Sequence, residues 1–204
     1  MNSKLYGDHR AHTPLPPVTM LARPDQAHFH LVVSVESESA AAAVPLLRRA
    51  AARLEELLPP LGAHLTTTDF SLPQEPGKLS NAPSRLHATL VVPLGKDAPF
   101  WDRVQKLAQV DDLLRALVVE GKKQKPALEV RRDLPVFVVA EPEVHRDALV
   151  KRLHERVRSL AGDAAGVQLK DLRFDCAVQQ RPLGLEEVEL SLPVDGSAEL
   201  LLPR

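Results

Sequence analysis

Two segments of this chain alternate apolar and polar residues with a period of two. In residues 28–36 the apolar face is formed by Phe29, Leu31, Val33 and Val35. In residues 85–94 it is formed by Leu86, Ala88, Leu90 and Val92. This is the pattern of a β-strand that buries one face, and a helix cannot present it on one side. A sheet is therefore expected at the centre of the fold.

Three longer segments, 45–58, 99–119 and 142–160, repeat apolar residues at helical spacing. Each begins with a proline, which is favoured in the first turn of a helix, so the helices are predicted to start there. Asp111 is a candidate point of interruption in the second helix. Each helix has one apolar stripe, which is typical of helices that cover a single face of a sheet.

Further strands are predicted at 64–72, 128–140, 167–178 and 187–194, and Pro135 interrupts the second of these. The resulting element order is β-α-β-β-α-β-α-β-β. Adjacent strands in this order favour antiparallel pairs. The sequence therefore predicts an α+β fold with two layers, in which a mixed or antiparallel sheet carries helices on one face.

The N-terminal segment, residues 1–26, has no apolar period and contains prolines at positions 14, 16, 17 and 24. Proline cannot donate to a strand ladder, so this segment is predicted to be an extended arm. Residues 27–204 are predicted to form a single domain, long enough to bury a core without disulfides. Cys176 is the single cysteine and, by alternation along 167–178, is predicted to be buried and inert.

The balance of charged residues argues against some classes of binding partner. Lysine and arginine number 26 and aspartate and glutamate 27, for a net charge of −1. A dedicated nucleic-acid binder usually has a basic excess, so no nucleic-acid partner is expected. No segment approaches the roughly 20 apolar residues of a membrane span, and no apolar run of signal-peptide length opens the chain. The protein is expected to be cytoplasmic, and without a phosphate-cradling loop motif it is expected to need no cofactor.

The sharpest local signal is a pair of His-x-Thr triplets, His64-Leu-Thr66 and His87-Ala-Thr89. Two-histidine phosphoesterases place two such triplets on facing strands, where one imidazole acts as base and the other as acid. The hydroxyls then hold the phosphate. That family takes its triplets from two lobes that are distant in sequence, whereas 23 residues separate these histidines. The competing interpretation is that both histidines lie on a solvent-facing side of their strands.

A second group of histidines, His9, His12, His28 and His30, lies near the N-terminus. His28 and His30 share one face of the first predicted strand, and a returning arm would bring His9 or His12 towards them. Imidazoles at such spacing bind zinc or nickel. No cysteine nearby completes a ligand set, so scattered surface histidines are the favoured interpretation.

With its elements in this order, the chain resembles the SIMPL-domain family over residues 28–194. The likeness lies in the strand Leu31-Val-Val-Ser-Val-Glu36, the helix of small residues from 40 to 57, the threonine-rich strand 65–72 and the helix 142–161. The Pro-Asp after the first strand and the Gly-Tyr of the central strand are missing, as expected of a divergent relative. The resemblance implies a sheet-and-helix domain that tends to self-associate and has no agreed catalytic residues.

These observations favour a non-enzymatic binding or self-assembly protein that forms a homo-oligomer or binds another protein. Two alternatives stay open. One is a small phosphoesterase that uses the two His-x-Thr triplets, and the other is a metal-binding module that uses the N-terminal histidines.

Overall fold

The computed structural model describes residues 13–14, 17–37, 39–71, 83–161, 166–173 and 176–201. In chain order its strands are β1 (Thr13–Pro14), β2 (Val18–Ala22), β3 (Gln26–Val35), β4 (His64–Ser71), β5 (Ser84–Pro93), β6 (Leu128–Arg132), β7 (Val136–Val138), β8 (Gly166–Arg173), β9 (Gln179–Pro182), β10 (Val188–Leu192) and β11 (Asp195–Leu201). Its helices are α1 (Ala40–Leu57), α2 (Phe100–Lys123) and α3 (Arg146–Ala161), with single 3-10 turns at Pro59–Leu61 and Pro142–His145.

These elements belong to two compact units. The sheet unit consists of residues 23–140 together with the short stretch 184–186. The terminal unit is drawn from residues 1–22, 141–183 and 187–204. Residues 27–204 are predicted from the sequence to form one domain, and the structure divides the described residues of that range between the two units.

A five-stranded antiparallel sheet organises the sheet unit. Its strand order is β4-β5-β3-β6, and β7 also pairs with β3. The chain order β3-α1-β4-β5-α2-β6 is that of the split β-α-β, or ferredoxin-like, motif. The alternation predicted for β3 is confirmed, because Ala27, Phe29, Leu31, Val33 and Val35 are each at most 2% exposed.

Both helices of the sheet unit cover the apolar face of this sheet. One core cluster joins Leu31 of β3 to Leu54 of α1 and Leu114 of α2. A second cluster, nearer the start of α1, contains Leu47 and Leu128. The predicted α+β class, with helices packed on a sheet, is confirmed.

The start of α1 is set by a side-chain cap. Ser39 Oγ accepts a hydrogen bond from the Ala42 amide at 3.2 Å, which satisfies one of the free amides of the first turn. This cap places the start of the helix at Ala40, so Pro45 lies in the second turn. The prediction that Pro45 lies in the first turn is therefore wrong. The helix is followed by the Pro59–Leu61 turn and then by Gly62, whose φ of 63° is the left-handed conformation that glycine favours.

Helix α2 runs unbroken through Asp111. The Asp111 carboxylate is paired with Arg115 Nε at 2.6 Å and with Arg132, so it is satisfied without interrupting the helix.

The first turn of α2 exposes two aromatic rings. Phe100 and Trp101 meet edge to face with centroids 5.2 Å apart, and Trp101 is 74% exposed.

The terminal unit contains two three-stranded antiparallel sheets, β1-β11-β8 and β2-β10-β9. Strand β2 falls within the segment predicted to be an extended arm, and it pairs along its length with β10. Arg152 of α3 donates to the Thr19 carbonyl at 3.1 Å. The apolar stripe of α3 is buried at Leu149, Leu153 and Val157.

The predicted burial of Cys176 is wrong. Strand β8 ends at Arg173, short of the predicted 167–178, and Cys176 is exposed beyond it. Alternation carries a side chain inwards only as far as the strand continues.

Among the described residues, no helix combines the length and the apolar character needed to cross a bilayer.

Candidate functional site

Those histidine and threonine residues singled out in the sequence that the structure describes lie on the face of the sheet opposite α1 and α2, the distal face. Alternation on β3 and β5 turns Phe29, Leu31, Leu90 and their neighbours towards the helices. The residues between them, including His28, His30, His87 and Thr89, therefore point the other way. Strand β4 adds His64 and Thr66 to the same face through its pairing with β5.

The two His-x-Thr triplets are adjacent but their histidines do not face each other. Thr66 lies opposite Thr89, whereas His64 lies opposite Val91 and His87 lies opposite Asp69. Val91 and His87 are four positions apart on β5, a distance of roughly 13 Å along the strand. A two-histidine phosphoesterase needs both imidazoles to reach one phosphate, and this register does not provide that arrangement.

His28 and His30 make local hydrogen bonds on the distal face. His30 Nδ1 lies 3.2 Å from Thr89 Oγ1, and His28 Nε2 lies 3.0 Å from Gln26 Oε1. Val91 is the cross-strand neighbour of both His28 and His64. Burial, followed by repulsion from His30 and His64, lowers the pKa of His28 below its ordinary value of 6.5. The distal face therefore favours the neutral form of this imidazole.

The metal-binding alternative needs histidines that lie beyond the described part of the chain. His9 and His12 fall outside the described residues. Within the residues that are described, no group of three or more His, Cys, Asp or Glu side chains is placed to hold a metal ion. His28 and His30 alone do not complete a tetrahedral site.

A buried cation lies at the start of α2. The side chain of Arg103 is 0% exposed. Its Nη2 donates to the carbonyls of Gly95 and Lys96 at 2.6 and 3.2 Å, and its Nη1 donates to the Leu185 carbonyl at 3.2 Å. The Glu186 carboxylate lies 3.7 Å from Nη1. Arg103 thus ties the turn before α2 to the stretch 184–186 of the same unit.

Arg23, whose side chain is 36% exposed, extends this network towards the surface. It pairs with Glu186 at 2.8 Å and donates to the carbonyls of Lys96 and Ala98. Burial and the neighbouring Arg23 lower the pKa of Arg103, while Glu186 and Asp25 raise it. Because both guanidinium groups are engaged with carbonyls and a carboxylate of the chain itself, this network stabilises the fold.

A cavity of about 570 Å³ lies on the helix side of the sheet, between α1 and the C-terminal half of α2. It sits where the two core clusters meet. Its apolar lining is formed by Val33, Leu46, Ala50, Leu54, Leu117, Leu128 and Val130. Several of these residues are fully buried, so the floor of the cavity is continuous with the core.

Gly121 sets how closely α2 approaches the sheet beside this cavity. A Cβ atom at this position would lie 2.8 Å from the Leu128 carbonyl oxygen and 3.3 Å from Leu128 Cβ. Only glycine fits such an approach without a shift of the backbone. The absence of a side chain at Gly121 therefore defines one wall of the cavity.

The rim of the cavity is charged. Its polar residues are Arg49, Arg53, Glu56, Glu120, Gln124 and Lys125. Arg53 and Glu56 pair with each other at 3.1 Å. Among the described residues, neither Arg49 nor Lys125 has a carboxylate within 4.0 Å, and Glu120 has no cation there. The Arg49 Nε donates to the Pro45 carbonyl at 3.4 Å, a long hydrogen bond.

Comparison of the chain with protein-family models and with curated proteins finds no match. The chemistry of the cavity is therefore inferred from its own residues. The sequence patterns predicted burial for some of its apolar residues, Val33 among them, but did not assign them to a cavity, because they come from α1, α2, β3 and β6 and share no local motif. The single local signal was Gly121, a glycine near the end of a predicted helix and directly before a basic turn.

Proposed function

We propose that the protein is a non-enzymatic binding protein and that the cavity between α1 and α2 is its ligand site. The observation that carries this proposal is a cavity of about 570 Å³ with an apolar floor and a charged rim. Small-molecule sites in proteins usually have volumes of roughly 300–1,000 Å³, an apolar lining and a few polar groups that orient the ligand.

The types of residue around the cavity favour binding over catalysis. Among the described residues that line it there is no histidine, cysteine, serine or threonine. Histidine is the commonest proton carrier of hydrolytic sites, and cysteine, serine and threonine are common nucleophiles there. The acids and bases of this cavity, Glu56, Glu120 and Lys125, lie on its rim. The imidazoles of the sheet unit lie on the distal face, across the sheet from the cavity.

The test is a titration with N-phenyl-1-naphthylamine, a neutral dye that fluoresces when it enters an apolar site. We expect saturable binding to the native chain. Ala50 lines the cavity and is half-buried, so Ala50→Leu fills part of it and is expected to weaken binding about tenfold or more, equivalent to about 1.4 kcal/mol.

The matched control is Ala116→Leu, the same change at an exposed position of α2 that does not line the cavity. It should leave dye binding unchanged. Circular dichroism of both variants establishes that they are folded. Equal dye binding by the native chain and a folded Ala50→Leu variant would place the dye elsewhere and overturn the proposal.

A second proposal is self-association through a sheet edge. In the sheet unit β4 is an edge strand, and it carries Phe70, which is 38% exposed. An open edge with an exposed aromatic residue pairs readily with a second copy. The resemblance to SIMPL-domain proteins supports the same proposal, since relatives of that type tend to assemble.

Light scattering coupled to size exclusion tests self-association. The native chain is expected to elute with the mass of two or more copies. Phe70→Lys should shift it towards the mass of one chain, whereas Phe100→Lys, an exposed phenylalanine on α2, serves as the control. A native mass of one chain up to high micromolar concentration would refute this proposal without affecting the ligand site.

A further inference from the structure

We infer that the cavity between α1 and α2 selects a single-chain anionic amphiphile, a molecule with an apolar tail and a carboxylate-like headgroup. The inference rests on the proposed ligand site and adds the chemical class of the ligand. It follows from the way charge is arranged around an apolar floor.

The rim offers more free positive charge than negative charge. Arg53 is neutralised by Glu56 at 3.1 Å. Of the remaining charged rim residues, Arg49 and Lys125 are cations and Glu120 is an acid, and among the described residues none of the three has an oppositely charged partner within 4.0 Å. A headgroup that binds between two unpaired cations must itself be negative.

The Arg49 side chain is suited to this role. Its described hydrogen bond uses Nε, towards Pro45. The two terminal nitrogens of a guanidinium form the fork that matches the two oxygens of a carboxylate. Because Arg49 and Arg53 lie four residues apart on α1, they occupy the same side of the helix above the cavity.

One electrostatic contribution opposes an anion. The C-terminal end of α2 borders the cavity at Gly121 and carries about half an elementary negative charge from its free carbonyls. Lys122 and Lys123 lie in that last turn and offset it, and Gln124 N–H donates to the Gly121 carbonyl. The two unpaired cations of the rim therefore dominate the local field.

The floor selects the tail of the ligand. Val33, Leu54 and Leu128 are each at most 3% exposed and form the deep end of the cavity. The polar residues lie at the mouth, so a ligand with a polar group at both ends would bury one of them without a hydrogen-bond partner. Such burial costs free energy, and an amphiphile with one apolar end avoids that cost.

The experiment measures displacement of N-phenyl-1-naphthylamine from the native chain by three single-chain ligands whose alkyl tails have nine or ten carbons. Decanoate is anionic, decanol is neutral and decyltrimethylammonium is cationic. We expect decanoate to displace the dye at the lowest concentration and decyltrimethylammonium at the highest.

Charge variants of the rim then test which residues select the headgroup. Arg49→Gln is expected to weaken decanoate about two- to fivefold, the range of a partly exposed ion pair, and to leave decanol unchanged. Lys125→Gln should act in the same direction. Glu120→Gln should strengthen decanoate, because it removes a repulsive charge. Arg48→Gln, an exposed arginine of α1 outside this cavity, is the control and should change neither ligand.

The outcomes distinguish failure of the anionic selectivity from failure of the ligand site itself. Equal displacement by all three ligands, or stronger displacement by the cation, would overturn the anionic selectivity and leave the ligand site in place. A decanoate preference that survives in the folded Arg49→Gln, Lys125→Gln double variant would also overturn it. Failure of the dye itself to bind would refute the ligand site.

Discussion

The two ends of α2 hold positive charge in opposite ways. At its start, Arg103 is fully buried and donates to three backbone carbonyls. Near its end, Lys125 lies exposed at the mouth of a cavity, together with Arg49 of α1. A buried cation needs hydrogen bonds from the chain itself, as the two terminal nitrogens of Arg103 have, whereas a cation at a rim costs little and stays free to bind.

This contrast separates the residues that maintain the fold from those that are available to a ligand. Residue type and sequence position do not distinguish them, since Arg49 and Arg103 each lie on an amphipathic helix. The difference is in their partners, and substitutions at the two places should therefore change different measured quantities.

Replacing Arg103 is expected to have the largest effect. Arg103→Met keeps roughly the length of the side chain but leaves the Gly95 and Leu185 carbonyls without their side-chain donor, whereas the Lys96 carbonyl and Glu186 keep Arg23. Each partly buried carbonyl that loses its donor costs about 1–3 kcal/mol, so the two carbonyls together predict a loss of about 2–6 kcal/mol of unfolding free energy. Urea unfolding followed by circular dichroism measures the loss, with Arg48→Met on the exposed side of α1 as the control. A loss below about 1 kcal/mol would mean that Arg103 is not the anchor of this region.

The next effect in size is expected at Gly121, which lines the cavity near the end of α2. Gly121→Ala places a Cβ atom 2.8 Å from the Leu128 carbonyl oxygen, so α2 must move away from β6. Overpacking of this kind costs about 1–3 kcal/mol. Gly184→Ala is the matched control, because a Cβ there meets nothing within 4 Å. Thermal unfolding measures the stability of both variants. Equal stability of the two would contradict the predicted overpacking at Gly121.

The pH dependence of stability should show a smaller effect at His28, whose charge the fold disfavours. Its pKa is lowered in the folded state from 6.5, so near that pH the unfolded chain binds more protons than the folded one. The stability due to the neutral imidazole is present above pH 6.5 and is lost as the pH falls below it.

We expect the unfolding free energy of the native chain to decrease between pH 7 and pH 5, and His28→Gln to reduce that decrease. His154→Gln, at an exposed position of α3, is the control. Urea unfolding at a series of pH values measures both. An unchanged pH dependence in His28→Gln would show that other groups are responsible.

The smallest effect on stability is expected at the cavity rim. Arg49→Gln and Lys125→Gln each change an exposed side chain that has no described carboxylate partner, so the unfolding free energy should stay within about 0.5 kcal/mol of the native value. A larger loss at either position would mean that the rim charges also stabilise the fold, and the contrast with Arg103 would fail.

Local patterns were sufficient to predict the main elements of the sheet unit. Period-two alternation identified β3 and β5 and the face that each turns towards the helices, because both strands are long, although Ser34, Thr89 and Val91 on the distal face are buried as well. The same reasoning failed at Cys176, where the alternating pattern continues past the end of the strand. Patterns describe which side a residue would face, and the length of an element depends on partners elsewhere in the chain.

The cavity could not be predicted from any segment. Arg49, Leu117 and Val130 are far apart in sequence, and they meet because of the spacing between two helices. That spacing depends on Gly121 and on the side chains of both core clusters together. Whether His64 and His87 lie opposite each other likewise depends on the register of β4 on β5. That register shifts between Thr67 and Asp69, and no sequence motif encodes it.

Trp101 is the single tryptophan of the chain, and most of its ring is in contact with water. An indole that is already hydrated emits at long wavelength, so its emission maximum will hardly move when the core unfolds. A denaturation curve recorded by intrinsic fluorescence would therefore look featureless while circular dichroism follows the transition. The same ring is a natural optical probe of the first turn of α2, because any molecule that covers it would shift the emission to shorter wavelength without a label.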